Sequence, residues 1–365
     1  MIKKIKGVIL FLSGVLLAGT SCQEIYDPDI SANEQMMVVD GLVTDEQGPY
    51  IVRLSYAILY DKAGYSVLPV EGAAAVIQED ENIKYPLWEN PLRPGEYCSD
   101  SAGFTARPGH TYSLQVIAGG REYRSPPQML VPAHEIDTIF GEVMTRKYPF
   151  TNAGGDLYYH CYKGGLIQVG YKNVVGSRGF RFNYSFYLQY VAEPLGMDNP
   201  PTYYIWHTET FLPEVNITGT DFNLATEHIL HELCFLPFDE DYYTFIDDWP
   251  DTVYAGSLDC YVVLIDQYRL NDISWEYHKE MDKLMKAEGK MFDPVAAQLS
   301  GNILCVTEPR RKVLGFFEVS SHSSFAYEVR NVGDRVPLVF HKIPGFKAVP
   351  YTGFTINEPP PFWIK

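Results

Sequence analysis

Residues 49–56 place Tyr50, Val52, Leu54 and Tyr56 on alternate positions, the period of a strand with one buried face. Runs of similar length recur at 36–43, 73–78, 83–88 and 111–118, each bounded by turn residues. Gly119-Gly120 separates 111–118 from a further run at 121–125, and two glycines that tolerate positive φ predict a two-residue hairpin there. Strands of this length and spacing predict an immunoglobulin-like β-sandwich over residues 34–130. Pro126-Pro127 and Pro132 mark its end as a stiff linker. The 27 tyrosines agree, because Tyr packs apolar on one side and hydrogen-bonds at its tip, which suits strands.

Residues 131–365 are expected to form a larger β-rich C-terminal domain, with strands near 166–171, 180–191, 203–208, 261–265, 303–307, 313–319 and 325–330. One amphipathic helix interrupts it. From 273 to 289, Trp275, His278, Met281 and Leu284 or Met285 recur at three- and four-residue spacing. Asp272 or Ser274 are N-cap candidates, Gly289 is a stop, and Lys283, Lys286 and Lys290 complement the helix dipole. The fold class is therefore mainly β.

The first 21 residues have the layout of a secretory signal: three lysines, an apolar stretch over 7–17, then Ala18, Gly19, Thr20 and Ser21 before Cys22. The apolar core is far shorter than the roughly 20 residues a spanning helix needs. The stretch from Ala18 to Cys22 resembles a relaxed lipobox with Gly19 where Leu is commonest. Processing of this kind would make Cys22 the lipid-bearing first residue of the mature chain. Each buried methylene contributes about 0.8 kcal/mol, so several acyl chains make such an anchor effectively permanent. Residues 22–33 then read as an acidic tether carrying Glu24, Asp27 and Asp29.

The net charge of −17 becomes more negative still once Lys3, Lys4 and Lys6 are removed, which excludes nucleic acid as an expected partner. Glu79, Asp80 and Glu81, then Asp239, Glu240 and Asp241, read as short solvated acidic loops. The six cysteines are widely spaced with no C-x-x-C pair, against a zinc ribbon or a thioredoxin-like site. Cys234 with Cys260 is the preferred disulfide among connectivities that spacing leaves open. His228 and His231 sit three apart between Glu227 and Glu232, but H-E-x-x-H is absent because Leu233, Cys234 and Phe235 follow, and fortuitous clustering is the favoured account. His278 reads as a hydrogen-bonded boundary residue. No nucleophile elbow, Walker loop, dinucleotide fingerprint or EF-hand occurs, and no catalytic residue, metal or cofactor is expected.

Tyr203, Tyr204, Trp206 and His207 follow Pro200-Pro201, and Asp248-Trp249-Pro250 lies among acidic residues. Aromatics on loops beside polar groups are what sugars and aromatic ligands stack upon, so Tyr203, Trp206 and Trp249 are the candidate ligand-binding residues. Core packing is the competing reading, since some of the first four must face inward if the segment is a strand.

The mature chain as a whole resembles a family of outer-membrane lipoproteins of unknown function encoded beside TonB-dependent receptors in Bacteroides-type bacteria. The resemblance is carried by Val38-Val39-Asp40-Gly41-Leu42-Val43-Thr44, Pro49-Tyr50-Ile51-Val52-Arg53-Leu54-Ser55 and Pro94-Gly95-Glu96-Tyr97. It continues in Pro108-Gly109-His110-Thr111-Tyr112-Ser113-Leu114, Pro132-Ala133-His134-Glu135-Ile136-Asp137-Thr138-Ile139, Ser300-Gly301-Asn302-Ile303 and Val313-Leu314-Gly315-Phe316-Phe317. These are strand starts and turns, and the family supplies no catalytic residues to carry over. What the resemblance implies is display on the cell surface and an accessory or ligand-binding role beside a TonB-dependent receptor in nutrient uptake. A surface hydrolase of glycan or peptide, or a structural or adhesive envelope protein, is the alternative.

Overall fold

The computed structural model describes residues 36–57, 68–80, 82–101, 103–152, 154–172, 178–196, 198–209, 215–219, 228–238, 243–247, 252–286, 299–330, 338–346, 354–360 and 363. The strands of the first region are β1 (Met36–Val43), β2 (Ile51–Ala57), β3 (Leu68–Pro69), β4 (Ala74–Glu79), β5 (Ile83–Glu89), β6 (Glu96–Cys98), β7 (Thr111–Ala118), β8 (Arg121–Arg124) and β9 (Gln128–Met129). Then come β10 (Thr138–Thr151), β11 (Leu157–Lys172), β12 (Gly179–Pro194), β13 (Tyr203–Glu209), β14 (Asn216–Gly219), β15 (His228–Pro237), β16 (Tyr243–Asp247) and β17 (Thr252–Leu270). Helix α1 (Asp272–Met285) follows, and β18 (Leu304–Cys305), β19 (Val313–Val319), β20 (Ser321–Arg330), β21 (His341–Lys342) and β22 (Phe354–Ile356) close the series. The chain is mainly β, with one helix among the described residues.

The first sheet is mixed, nearly closed and barrel-like, with β18-β8-β7-β4-β5-β6-β2-β1-β19 as its path. Alternation dictates its interior: in β1 and β7 every second side chain is buried, and Met37, Val39, Val52, Leu54, Ile77, Tyr97, Tyr112, Leu114 and Val116 meet in one core. Strand β5 turns the corner, pairing β4 through Ile83–Leu87 and β6 through Trp88 and Glu89. Gly119 and Gly120 both have positive φ and join β7 to β8, as their sequence predicts. The sheet is completed by strands from far along the chain. β18 pairs β8, and β19 lies parallel to β1 with Met37 opposite Val313 and Val43 opposite Val319. A parallel pair needs a long crossover, and here the whole of β2 to β18 intervenes.

Beyond it, β10-β11-β15 form a three-stranded antiparallel sheet, and β21-β20-β17-β12-β13-β22, with β14 and β16 beside them, form an eight-stranded one. The two pack face to face around Ile167, Val169, Tyr171, Phe182, Phe186, Leu188, Tyr190, Leu233, Tyr261, Val263 and Ile265. The outer face of the large sheet carries Tyr187, Val262, Leu264 and Ala326, covered by Ile343, Phe346 and Trp363 of the C-terminal segment. The helix starts one residue before the span its periodicity suggests, and its cap is neither Asp272 nor Ser274. Asn271 caps it, its side-chain oxygen accepting from the Ser274 N–H at 3.0 Å.

The preferred disulfide does not form: Cys98, Cys161, Cys234, Cys260 and Cys305 are all free. Cys234 lies in the core between the sheets, whereas Cys260 neighbours the core residue Tyr261 on β17 and so occupies the opposite face of the large sheet. The acidic run at 79–81 is also not simply a solvated loop, because Glu79 is only 1% exposed. Its carboxylate accepts from the Tyr85 hydroxyl at 2.7 Å, from Arg107 at 2.7 Å and from the Tyr112 hydroxyl at 3.2 Å.

Candidate functional site

The hairpin β10–β11 outruns the sheet that supports it. β15 pairs β11 only over Gly164–Lys172, while β10 and β11 stay paired with each other from Thr138↔Gly170 to Thr151↔Leu157. The pairs from Thr145↔Lys163 outward therefore form a two-stranded arm about 20 Å long. Where the hairpin is covered, its odd residues, Ile139, Val143, Ile167 and Val169, face the core. In the arm both faces meet solvent: Leu157 is 60%, Tyr158 50% and Tyr159 57% exposed, and Tyr148, Phe150 and Cys161 are exposed as well.

Two-stranded ribbons are marginal in water, so something must hold this one. On its even face a file of rings runs across the strands. Phe150 stacks on His160 at 4.0 Å and on Tyr158 at 5.6 Å, Tyr148 meets Tyr162 edge-on at 5.8 Å, and Tyr162 lies 6.1 Å from His160. Such pairs contribute about 0.5–1.5 kcal/mol each beyond area burial. At the arm's base Arg146 pairs with Glu232 and sits 4.8 Å over the Phe235 ring. At its tip Asn152 closes the turn, its side-chain oxygen accepting from Gly154 and Asp156 at 2.9 Å. Pro149 lies on the outer edge of β10 and cannot donate to a further strand, and Lys147 stands two residues before it on the same edge, while the aromatic faces of the arm stay open.

A second cluster lies where the first sheet meets the others. Glu318 of β19 is buried, and it accepts from Arg181 of β12 at 3.0 Å, His278 of α1 at 2.8 Å and Ser320 at 2.8 Å. Burial opposes its charge, but Arg181 and then His278 outweigh that and hold the carboxyl well below the usual range. The Arg181 guanidinium stacks 4.1 Å from the Tyr268 ring, whose centroid lies 4.7 Å from that of His322. Burial pulls the His322 pKa down, yet its bond to Asp266 and the charge of Glu46 outweigh it and raise the pKa. Asn271 works across the same seam, donating to Val319 O at 2.8 Å while it caps the helix. The seam is a built joint of charge and aromatic stacking between layers.

Among the described residues Glu79, Asp80 and His110 are the group whose donor atoms lie close enough, within 4.8 Å, to surround one cation. Those atoms already engage protein donors: Asp80 accepts from the Thr111 N–H and hydroxyl, and His110 lies against both carboxylates. His228 and His231 are on strand β15, not a helical turn, and three apart on a strand they point to opposite faces. His231 contacts Asn216 Oδ1 at 2.6 Å and stacks on Phe182, and burial pushes its pKa down to about 4. His278 is buried and hydrogen-bonded through Nε2 to Glu318.

Of the residues singled out from sequence, Tyr203 and Trp206 share β13 but not a face. Tyr203 packs against the inter-sheet core, 5.3 Å from the Tyr254 ring, and Trp206 is 7% exposed on the outer face, 6.2 Å from Trp363. Cys22 and Trp249 lie outside the described residues. The aromatic arm is what sequence reading passed over. Its signal is nonetheless present: Tyr148-Pro149-Phe150 and Leu157-Tyr158-Tyr159-His160 flank Asn152 and Gly154-Gly155, two apolar-aromatic runs about a turn.

No curated protein and no solved structure matches the chain. A family model does, over residues 23–326, and its described core spans both the nearly closed first sheet and the arm-bearing second region. The chain belongs to the family described as Domain of unknown function (DUF4249).

Proposed function

We propose that this protein is an outer-membrane lipoprotein of the cell surface, anchored by lipid on Cys22, that assists a TonB-dependent receptor in nutrient uptake and docks on it through the β10–β11 arm. The arm carries the reading. An exposed ribbon bearing Tyr148, Phe150, Leu157, Tyr158, Tyr159 and Tyr162 loses solvent-facing apolar surface when a partner covers it, and Tyr is a residue that interfaces favour. Direction supports it too. β1 ends at the seam, where Ser320 N donates to Val43 O, so its start at Met36 points away from the second region. β10 begins near that seam, since Arg269 bonds Pro132 O, and runs outward to the arm. The start of β1 and the tip of the arm thus point away from the seam on its two sides, which suits a protein fixed to a bilayer at one end and reaching a receptor with the other. The family match beginning at residue 23, immediately after Cys22, is in keeping with a mature chain that starts at that cysteine. The same reading takes the first sheet, whose two halves close on one core around the β5 corner, as an immunoglobulin-like sandwich extended by β18 and β19.

The test is photo-cross-linking in intact cells with the reactive group at Tyr158 or Tyr159 and, in separate variants, at exposed positions before Pro126 such as Ile117. A receptor-sized adduct is the expected result. Adducts that form only from positions before Pro126, or none at all, would overturn the docking mode or the partnership.

A further inference from the structure

A cleft of about 410 Å³ opens at the seam, between the outer face of the first sheet and the second region. Asp40, Leu42, Ile51 and Arg53 of β1 and β2 lie along its first-sheet side, and Tyr268 of β17 and His322 of β20 face them. Clefts of this size, placed between the layers of a fold, are where small molecules bind.

Alternation and register give the first-sheet side an ordered surface. Val52 and Tyr97 belong to the core, so the residues on either side of them face outward, and Trp88 does so beside the core residue Leu87. Two rows then cross the strands. One is charged, with Asp40 opposite Arg53 and Arg53 opposite Glu96. The other is apolar, with Ile51 opposite Cys98 and Cys98 opposite Trp88. Trp88 is 66% exposed and carries the apolar row past the cleft, so from β1 to β5 the surface spans about 14 Å.

The charges of the first row are matched. Arg53 lies 3.4 Å from Asp40 Oδ2 and 3.6 Å from Glu96 Oε2, and Glu96 also meets Arg93. Across the cleft His322 Nδ1 holds Glu46 Oε1 at 3.0 Å. Among the described residues Asp40 Oδ1, Glu46 Oε2 and Arg53 Nη2 have no hydrogen-bond partner, so acceptors and a donor stand side by side without one dominant sign. That combination suits a sugar. A pyranose ring has an apolar face of C–H groups that packs on indole and aliphatic side chains, and a rim of hydroxyls that both donate and accept.

We propose that this two-row surface at the seam binds a neutral oligosaccharide, with Trp88 stacking on one ring and Asp40, Arg53 and Glu46 holding hydroxyls. It names the nutrient class for the uptake role proposed above and rests on that role only for its meaning in the cell. The residues lining the cleft and those of the arm are separate sets.

The experiment uses the full chain, purified in detergent, on a printed array of neutral plant, yeast and mucin oligosaccharides that also carries tetralysine. Retention on at least one neutral oligosaccharide is expected, little changed by added salt because no net charge is being paired. In solution that oligosaccharide should shift the emission of Trp88, one of five tryptophans, and the shift should vanish in Trp88→Phe. Trp88→Ala and Asp40→Ala should each weaken binding about tenfold with the melting temperature unchanged, since both side chains are exposed. Binding as strong in both variants as in wild type overturns the proposal, as does retention on tetralysine alone or on no spot at all. Tyr158→Ala, on the arm, should bind the same oligosaccharide as wild type does. Sugar binding without receptor cross-linking sinks the docking reading alone, whereas cross-linking without sugar binding sinks this proposal alone.

Discussion

Strand β12 and the β10–β11 arm are made of the same material and meet opposite fates. β12 carries Phe180, Phe182, Tyr184, Phe186, Tyr187 and Tyr190, and the arm carries Tyr148, Phe150, Tyr158, Tyr159, His160 and Tyr162. In β12 the even residues meet β11 and β15 across the inter-sheet core, and Tyr187 on the other face packs against Phe346. Among the described residues neither face of the arm meets a second layer, and the rings pack on one another across the ribbon. Aromatic alternation thus specifies a strand, and only the number of layers above and below decides whether its rings are buried or left exposed.

The contrast breaks most visibly in the core. Phe186 is 0% exposed, stands in the inter-sheet core and meets the Tyr261 ring edge-on at 5.7 Å. Phe186→Ala should cost about 3–5 kcal/mol, the sum of lost transfer energy and a cavity that rigid neighbours cannot close. The measurement is the chemical-denaturation midpoint of the purified protein. A loss near zero would mean that β12 tolerates cavities as an exposed ribbon does, and the two regions would not differ as described.

A smaller effect separates the seam from the arm by pH. Glu318 has a depressed folded pKa, so its contribution is fully present above the ordinary carboxyl range near 4.3 and is lost as pH falls through its folded value. The raised pKa of His322 works the other way: its contribution is fully present below about 6.5 and is lost as pH rises through the folded value. Burial holds the His231 pKa down at about 4, so the unfolded chain takes up a proton there below about 6.5 that the folded chain resists, and the melting temperature should therefore be highest near neutral pH and fall on both sides. His322→Gln should flatten the decline on the alkaline side, a change of a few degrees because Glu46 is largely exposed and its pull is screened. Glu318→Gln should flatten the acid side while lowering stability throughout, since Arg181 and His278 lose a buried partner. Identical pH profiles for wild type and His322→Gln would remove His322 from the joint.

Much of the first sheet is legible from its residues, because one buried face imposes strict alternation: β1 and β7 coincide with their predicted spans, and Gly119-Gly120 gives the hairpin. Residues 313–319 are also readable as a strand, but nothing local says that the strand lies parallel to β1 across almost the whole chain. Glu79 shows the same limit. Three neighbouring acidic residues suggest solvent, and only the tertiary approach of Tyr85, Arg107 and Tyr112 makes a buried carboxylate of the first. Tyr203 and Trp206 could share one surface only on a loop, and the alternation already weighed against them applies because the segment is a strand, which sends them to opposite faces. The arm escaped notice because Tyr148, Phe150, Tyr158 and Tyr159 differ from core residues only in lacking a layer to cover them, and a layer is supplied by other parts of the chain.

The smallest stability change belongs to the arm, where the largest functional change is expected. Tyr158 is half exposed and touches Phe150 on one side only, so Tyr158→Ala removes one ring pair and little buried area. The expected cost is under about 1 kcal/mol, and the sheets behind Gly164 keep their cores. Phe150→Ala should cost slightly more, because it stacks on both His160 and Tyr158. If the proposed docking on a TonB-dependent receptor holds, co-purification of that receptor from native membranes should nonetheless fall by about tenfold or more, as when an aromatic anchor is cut from an interface. Comparison of the two single variants decides between docking and mere bracing. If loss of partner follows the weakening of the ribbon, Phe150→Ala will be the worse of the two on both measures. If the exposed ring itself is read by the partner, Tyr158→Ala will be the worse for binding and the better for stability, and Tyr158→Phe will keep most of the interaction. Receptor recovery unchanged in both single variants would leave the arm as an ordinary overhang and return the search for a docking surface to the rest of the second region.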